Sequence, residues 1–271
     1  MDHQSIRNQM PILVSGHLPS NARTFQFEIF DGEPKLSSNW GHHIDPKPFE
    51  GRVIARTDDV IIVKTGRTRF AVVDRTLATE DPEEGAKVLV EPYARHRFDG
   101  LRADTPEESV EYTSDGQPVT FLTYVLGSAP AKLPIAQPRC PELRDLIQQL
   151  EDRRAPDGYR HITHMLVDAQ ACDFSVVDPK PADIVRTPPT ISFNVTTGKF
   201  QGRVSLLYQR AGDLYAIELH QGDQRVERRE YVDYSSLGKV LAELIDDGSW
   251  RRIRVSTVQK PARRKPQAAT A

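Results

Sequence analysis

Short runs of alternating apolar and polar residues fill the first half of the chain. At residues 24–30, Phe25, Phe27 and Ile29 alternate with Gln26 and Glu28 before an Asp31-Gly32 turn, which predicts a strand with one buried face. The irregular stretch GHHIDPKPFEG follows. Further strands are predicted at 52–56, 60–64, 69–73 and 87–90, punctuated by Thr57-Asp58-Asp59, by Gly66-Arg67 and by an acidic loop at 79–85. Another is predicted at 119–126, after Asp115-Gly116. No helices lie between these strands to cover a sheet. The economical arrangement is a small β-barrel, SH3-like or OB-like, with its core at 49–126.

The pattern changes at SAPAKLPIAQPRCP, whose four prolines each fix φ and remove a backbone donor. This predicts a stiff linker at 129–140. Beyond it, Pro141 and Glu142 suit a helix's first turn, and Leu143, Leu146, Ile147 and Leu150 fall at helical spacing. Ala155-Pro156-Asp157-Gly158 ends that helix. Residues 159–171 fit a second helix through Tyr159, Ile162, Met165, Leu166 and Ala169, or a strand at 162–167. Strands at 191–195, 203–210, 214–220 and 225–232 predict an antiparallel meander. A helix from about Ser236 and a last strand at 252–257 complete the chain. Separate runs of strands and helices give an α+β class. The expected domains are a β-rich one at 1–128, the linker at 129–140, an α+β domain at 141–259 and a basic disordered tail at 260–271.

Composition fits a folded protein: 271 residues, 38% hydrophobic and 27% charged. No run reaches the ~18 apolar residues of a membrane helix, and the first eleven residues lack the apolar core of a secretory leader. Cys140 and Cys172 are too few for a disulfide framework, so two reduced thiols in a cytoplasmic protein are expected. The net charge of −2 conceals an asymmetry. From Arg251 onward there are seven basic residues (Arg251, Arg252, Arg254, Lys260, Arg263, Arg264, Lys265) and no acidic one, leaving −9 on residues 1–250.

Motifs for phosphate loops, zincins and α/β-hydrolases are absent; Thr196-Thr197-Gly198-Lys199-Phe200 lacks the upstream glycine and following hydroxyl of a Walker loop. His42, His43 and Asp45 form one imidazole-carboxylate group, and His161 and His164, with Asp168 or Cys172, form another. Neither has an established ligand spacing, so no catalytic residue, metal or cofactor is expected. The clearest chemical signal is Tyr93-Ala94-Arg95-His96-Arg97-Phe98-Asp99-Gly100-Leu101-Arg102. Its aromatics suit stacking on bases and its cations suit neutralising phosphates. Arg52, Lys64, Arg67 and Arg69 on neighbouring predicted strands extend this candidate face, and the seven C-terminal cations would add phosphate contacts. Eleven basic and ten acidic residues lie between Lys47 and Arg102, so any basic face there is balanced by an acidic one.

The segment from Phe49 to Tyr93 resembles the KfrB-type domain of plasmid and integrative-element proteins. The likeness lies in the order Gly51-Arg52-Val53, a polar turn, a strand ending near Gly66-Arg67, a strand leading to Leu77, then Gly85-x-Lys87-Val88. Residues 189–255 are similar to C-terminal modules of conjugative-element accessory proteins. The resemblance implies a protein of a bacterial mobile genetic element and brings no catalytic residues. The leading expectation is a non-catalytic nucleic-acid-binding protein, with DNA or RNA as partner and no membrane. The alternative is an acidic inhibitor or adaptor, such as an anti-defence factor, whose loops at 79–84 and 104–111 engage a host or element-encoded protein. A third is an enzyme with an unrecognised His/carboxylate site.

Overall fold

The structure, a computed structural model, describes residues 1–35, 43–123 and 129–258. The protein is α+β, and its chain forms two compact units. The first joins Met1–Glu33 and Pro46–Tyr93 to the chain from Arg251 onward, and the second comprises Pro34–Asp45 and Ala94–Trp250.

Unit 1 opens with helix α1 (His3–Val14), capped where Asp2 Oδ1 accepts from the Gln4 N–H at 2.9 Å. Ile6, Met10 and Val14 recur every fourth residue and give the helix one buried stripe. Six strands form one sheet in the order β1 (Gln26–Phe30), β4 (Arg69–Asp74), β3 (Val60–Lys64), β2 (Phe49–Arg56), β5 (Lys87–Glu91) and β13 (Arg254–Thr257). β1 runs parallel to β4, and the other pairings are antiparallel. The α1 stripe covers the face bearing Ile29, Ile54, Ile62, Phe70 and Val72. The other face, with Val53, Val63, Ala71, Val73, Val88, Val90 and Val255, packs on itself. β3 belongs to both layers, so Val60–Val63 are buried without alternation.

A sheet that packs on its own face must curl. A bulge between Val53 and Ala55 bends β2. Gly51 permits close approach, since a Cβ there would stand 2.4 Å from Val63 Cγ1 and 2.6 Å from the Lys64 carbonyl oxygen. Beyond β4 the chain reaches the far edge. Thr79 N–H donates to the Ile253 carbonyl at 3.0 Å, and Ile253 N–H to the Leu77 carbonyl at 2.9 Å. β1 and β13 do not pair, and no closed barrel is found among the described residues. The strand predicted at 119–126 is also absent from this sheet, and its last residues lie outside the described ones. The 252–257 strand, expected in the α+β domain, instead extends β5, because Val255 completes the apolar row of Val88 and Val90.

In unit 2, β6 (Glu107–Tyr112) and β7 (Pro118–Thr123) form a separate hairpin. A five-stranded antiparallel sheet follows the order β12 (Gln224–Val232), β11 (Leu214–Gln221), β10 (Gln201–Gln209), β9 (Thr190–Thr196) and β8 (Cys172–Val177). Helices α2 (Pro141–Asp152), α3 (Ile162–Asp168) and α4 (Leu237–Ile245) share its core. Leu143, Leu146, Ile162, Leu166, Leu237 and Leu241 cluster there with Ile191, Phe193, Val204 and Ile217. The ambiguous 159–171 stretch thus holds a short helix. The 129–140 segment is no spacer: Ala131, Leu133 and Cys140 are buried in unit 2. Glu151 accepts from Leu133 N–H at 2.9 Å and Lys132 Nζ at 2.7 Å, fastening this segment to α2.

Candidate nucleic-acid interface

Strand register places three cations on one line across the sheet of unit 1. Arg52 on β2 stands opposite Lys64 on β3 and Lys87 on β5. Val53, Val63 and Val88 belong to the self-packed layer, so Arg52, Lys64 and Lys87 project from the opposite face. Arg254 shares that face by the same alternation with Val255. Adjacent strands lie ~4.8 Å apart, which confines the row to about 10 Å. Like charges in register cost stability unless partners relieve them. Lys64 Nζ donates to the His17 carbonyl at 2.5 Å, Lys87 pairs with Glu50, and Arg254 lies 3.9 Å from Glu91. Arg52 is exposed and has no side-chain partner among the described residues. The chain leaves the sheet beside this row, where Val258 N–H donates to the Lys87 carbonyl at 2.8 Å. Lys260, Arg263, Arg264 and Lys265 follow and lie outside the described residues.

The remaining candidates of unit 1 are dispersed. Arg67, in the β3–β4 turn, donates to Asn21 Oδ1 at 2.9 Å. Arg69 lines an open groove along β1 with Gln26, Phe27, Glu28, Thr65 and Phe70. Arg251 pairs with Glu33 at 2.8 Å, Arg252 is exposed, and Tyr93 is half-buried. The acidic 79–84 loop is partly neutralised internally. Arg75 and Arg56 both grip Asp81 at 2.5 Å, and their hydrogen bonds, Arg75's foremost, hold its carboxyl below the usual carboxylate range.

Charge divides between the units. Unit 1, counted with everything from Arg251 onward, contains 17 basic and 13 acidic residues; unit 2 contains 19 and 25. The net +4 of unit 1 comes wholly from Lys260, Arg263, Arg264 and Lys265, since its residues through Val258 balance at 13 basic and 13 acidic, and the acidic excess of −6 resides in the other unit.

The basic-aromatic segment at 93–102 does not join the cation row, and three of its candidates have other partners. Arg95 is 1% exposed, donating through Nε to Asp45 at 3.1 Å and through Nη2 to the His43 carbonyl at 2.9 Å. Its guanidinium lies 4.4 Å from the Tyr159 ring centroid, and Tyr159 donates its hydroxyl to Asp45. Burial and the Asp45 charge push the Tyr159 phenol well above its ordinary range. Arg97 pairs with Glu107 at 3.3 Å and Asp99 at 3.4 Å. Phe98 packs edge-on against Phe174, 5.2 Å between centroids, at the margin of the unit 2 core. These residues hold loops in place, and a base or phosphate would have to displace them. Lys87, which sequence inspection left out of the interface, enters it through register alone.

The histidine groups are structural in geometry. His42 lies outside the described residues, and His43 packs edge-on against Tyr159. At the start of α3, His164 Nδ1 accepts the His161 N–H at 3.1 Å. Burial lowers His161 to about 4 and His164 to about 3, with nearby arginines adding to both and His161 to the latter. Arg160, fully buried, binds Asp157 at 3.0 Å, Asp168 at 2.7 Å and Asp246, and lies 4.2 Å from the Trp250 ring centroid. Among the described residues no three His, Cys, Asp or Glu side chains are grouped to hold a metal ion. Cys140 is buried, Cys172 is exposed, and both thiols are free. No described helix is long and apolar enough to cross a membrane. No family model matches the chain, and comparisons with curated proteins and with solved structures find no match.

Proposed function

We propose that unit 1 is a nucleic-acid-binding module that grips a phosphate backbone on the outer face of its curled sheet. The observation that carries this reading is the in-register row Lys64–Arg52–Lys87. Lys64 and Lys87 are relieved by the His17 carbonyl and Glu50, which leaves the exposed Arg52 guanidinium between them as the cation that an anionic ligand would meet first. Arg254 on the same face and the basic sequence after Val258, whose four cations supply the whole net +4 of the unit, support it. The sheet would act as SH3-like or OB-like small-barrel modules do, with its curl standing in for closure. In keeping with the KfrB-type resemblance, the setting we propose is the cytoplasm of a bacterium carrying a mobile element.

The test is fluorescence anisotropy of labelled duplex DNA, single-stranded DNA and RNA at several salt concentrations. Each phosphate contact contributes about −0.9 to the slope of log affinity against log salt on duplex DNA, so a face of four cations predicts a slope of about −2 to −4. Arg52→Glu reduces that slope by about 1 and weakens all sequences alike. A chain ending at Val258 retains binding through the face. Affinity unchanged by Arg52→Glu but abolished by the truncation would refute the sheet as the site.

A further inference from the structure

The β6–β7 hairpin is the least explained part of the fold. All twelve of its strand residues are exposed, and neither strand pairs with any other strand among the described residues. It nevertheless carries five large apolar side chains: Val110, Phe121 and Leu122 are about half exposed, Tyr112 is 74% exposed and Val119 38%. A two-stranded ribbon alone in water is marginally stable, and clustered exposed apolar groups mark an interaction site. Register puts Val110, Tyr112 and Leu122 on one face with Glu108, and Phe121 and Val119 on the other with Glu107 and Glu111.

The charge is one-signed. Asp104, Glu107, Glu108, Glu111 and Asp115 are the ionisable acids from 103 to 123, and that stretch contains no Lys or Arg. All three strand carboxylates are on β6, whereas β7 begins with Pro118, which lacks an N–H to donate. We propose that the β6 edge captures an extended, cationic, strand-forming segment of a partner protein. Main-chain bonds would add that segment as a third strand, its apolar residues would cover Val110, Tyr112 and Leu122 on one face, and its Lys or Arg residues would meet Glu107 and Glu111 on the other. Nucleic acid is disfavoured here by five carboxylates: Glu107 and Asp104 are paired with Arg97 and Arg102, and Glu108, Glu111 and Asp115 with no cation among the described residues. Pairing of two β6 edges in a dimer would set like charges against each other.

The probe is a labelled ten-residue peptide alternating Val or Ile with Lys or Arg. It is titrated into the full chain beside a peptide of equal charge interrupted by glycines. The expected result is saturable binding of the strand-forming peptide, at least tenfold tighter than the interrupted one. Glu107→Gln/Glu111→Gln is expected to weaken it about tenfold, and replacing 107–123 by a short Gly-Ser turn to abolish it. The replacement leaves the thermal unfolding of unit 2 in place, because the hairpin contributes nothing to its core. The proposal fails if neither peptide binds, if both bind equally, if the hairpin-less chain binds as well, or if the hairpin instead mediates nucleic-acid binding or self-association.

Discussion

Arg95→Met distinguishes a buried structural cation from a surface one. Asp45, 3% exposed, accepts from Arg95 Nε at 3.1 Å and from the Arg95 N–H at 3.3 Å, and it also receives the Tyr159 hydroxyl. Methionine keeps much of the side-chain volume but removes the guanidinium, leaving the Asp45 carboxylate buried without its counter-charge. Breaking a buried pair in this way costs ~3–5 kcal/mol. For a unit of this size each kcal/mol lowers the melting temperature by ~2–4 °C, so a fall of roughly 6–20 °C is expected. The double change Arg95→Met/Asp45→Asn removes both charges and recovers at least ~1.5 kcal/mol relative to the sum of the single changes. Urea and thermal unfolding followed by circular dichroism measure all three variants, and anisotropy with DNA at 20 °C serves as the functional control. A loss below ~1 kcal/mol for the single variant, strict additivity in the cycle, or weaker DNA binding by the folded variant would refute the assignment.

Gly51→Ala forces a methyl group to within 2.4 Å of Val63 and is expected to cost ~3 kcal/mol in unit 1. At Gly66 the nearest neighbour is at 3.4 Å, so alanine there costs under ~1 kcal/mol, and comparing the two melting curves checks the curl. His161 and His164 titrate below the 6.5 of an unperturbed imidazole, so the unfolded chain takes up their protons first. Stability is therefore fully retained above pH 6.5, falls as the pH drops toward about 4, and levels off below about 3. Urea midpoints from pH 7.5 to 4 decline less steeply in the His161→Asn/His164→Asn variant; an identical decline would count against the buried pair. Phe98→Ala removes the edge-on contact with Phe174 and costs ~1–3 kcal/mol in unit 2, and anisotropy on the folded variant shows unaltered nucleic-acid affinity.

Local pattern revealed the elements whose burial is one-sided or strongly periodic. The strands β2 to β5 and β9 to β12, and the helices α2 and α4, all lie where alternation or helical spacing predicts them. Elements that break their own pattern escaped. α1 holds Pro11 inside an otherwise helical stripe, and β8 contains Asp173 with φ +53° beside a register shift at Cys172/Ser175. The candidate interface was only half legible. Arg52 and Lys64 could be placed on strands, but their alignment with Lys87 depends on a pairing between strands more than thirty residues apart. Arg95 shows the opposite failure. Beside Tyr93 and Phe98 it has the local signature of a base-stacking patch, whereas its partner Asp45 lies fifty residues away. Tertiary pairing, invisible to a sliding window, separates an exposed cation from a core one.

β13 completes the sheet begun by β1 to β5 only after the whole of unit 2 has intervened in the chain. On a ribosome, unit 2 therefore emerges and can fold while β5 still waits with an open edge and the apolar row of Val88 and Val90 uncovered. Every nascent or prematurely terminated chain that stops short of Thr257 carries that unfinished sheet. The proposed binding face includes Arg254, so it matures last: the protein would acquire its grip on a polyanion only once its synthesis had passed the final strand.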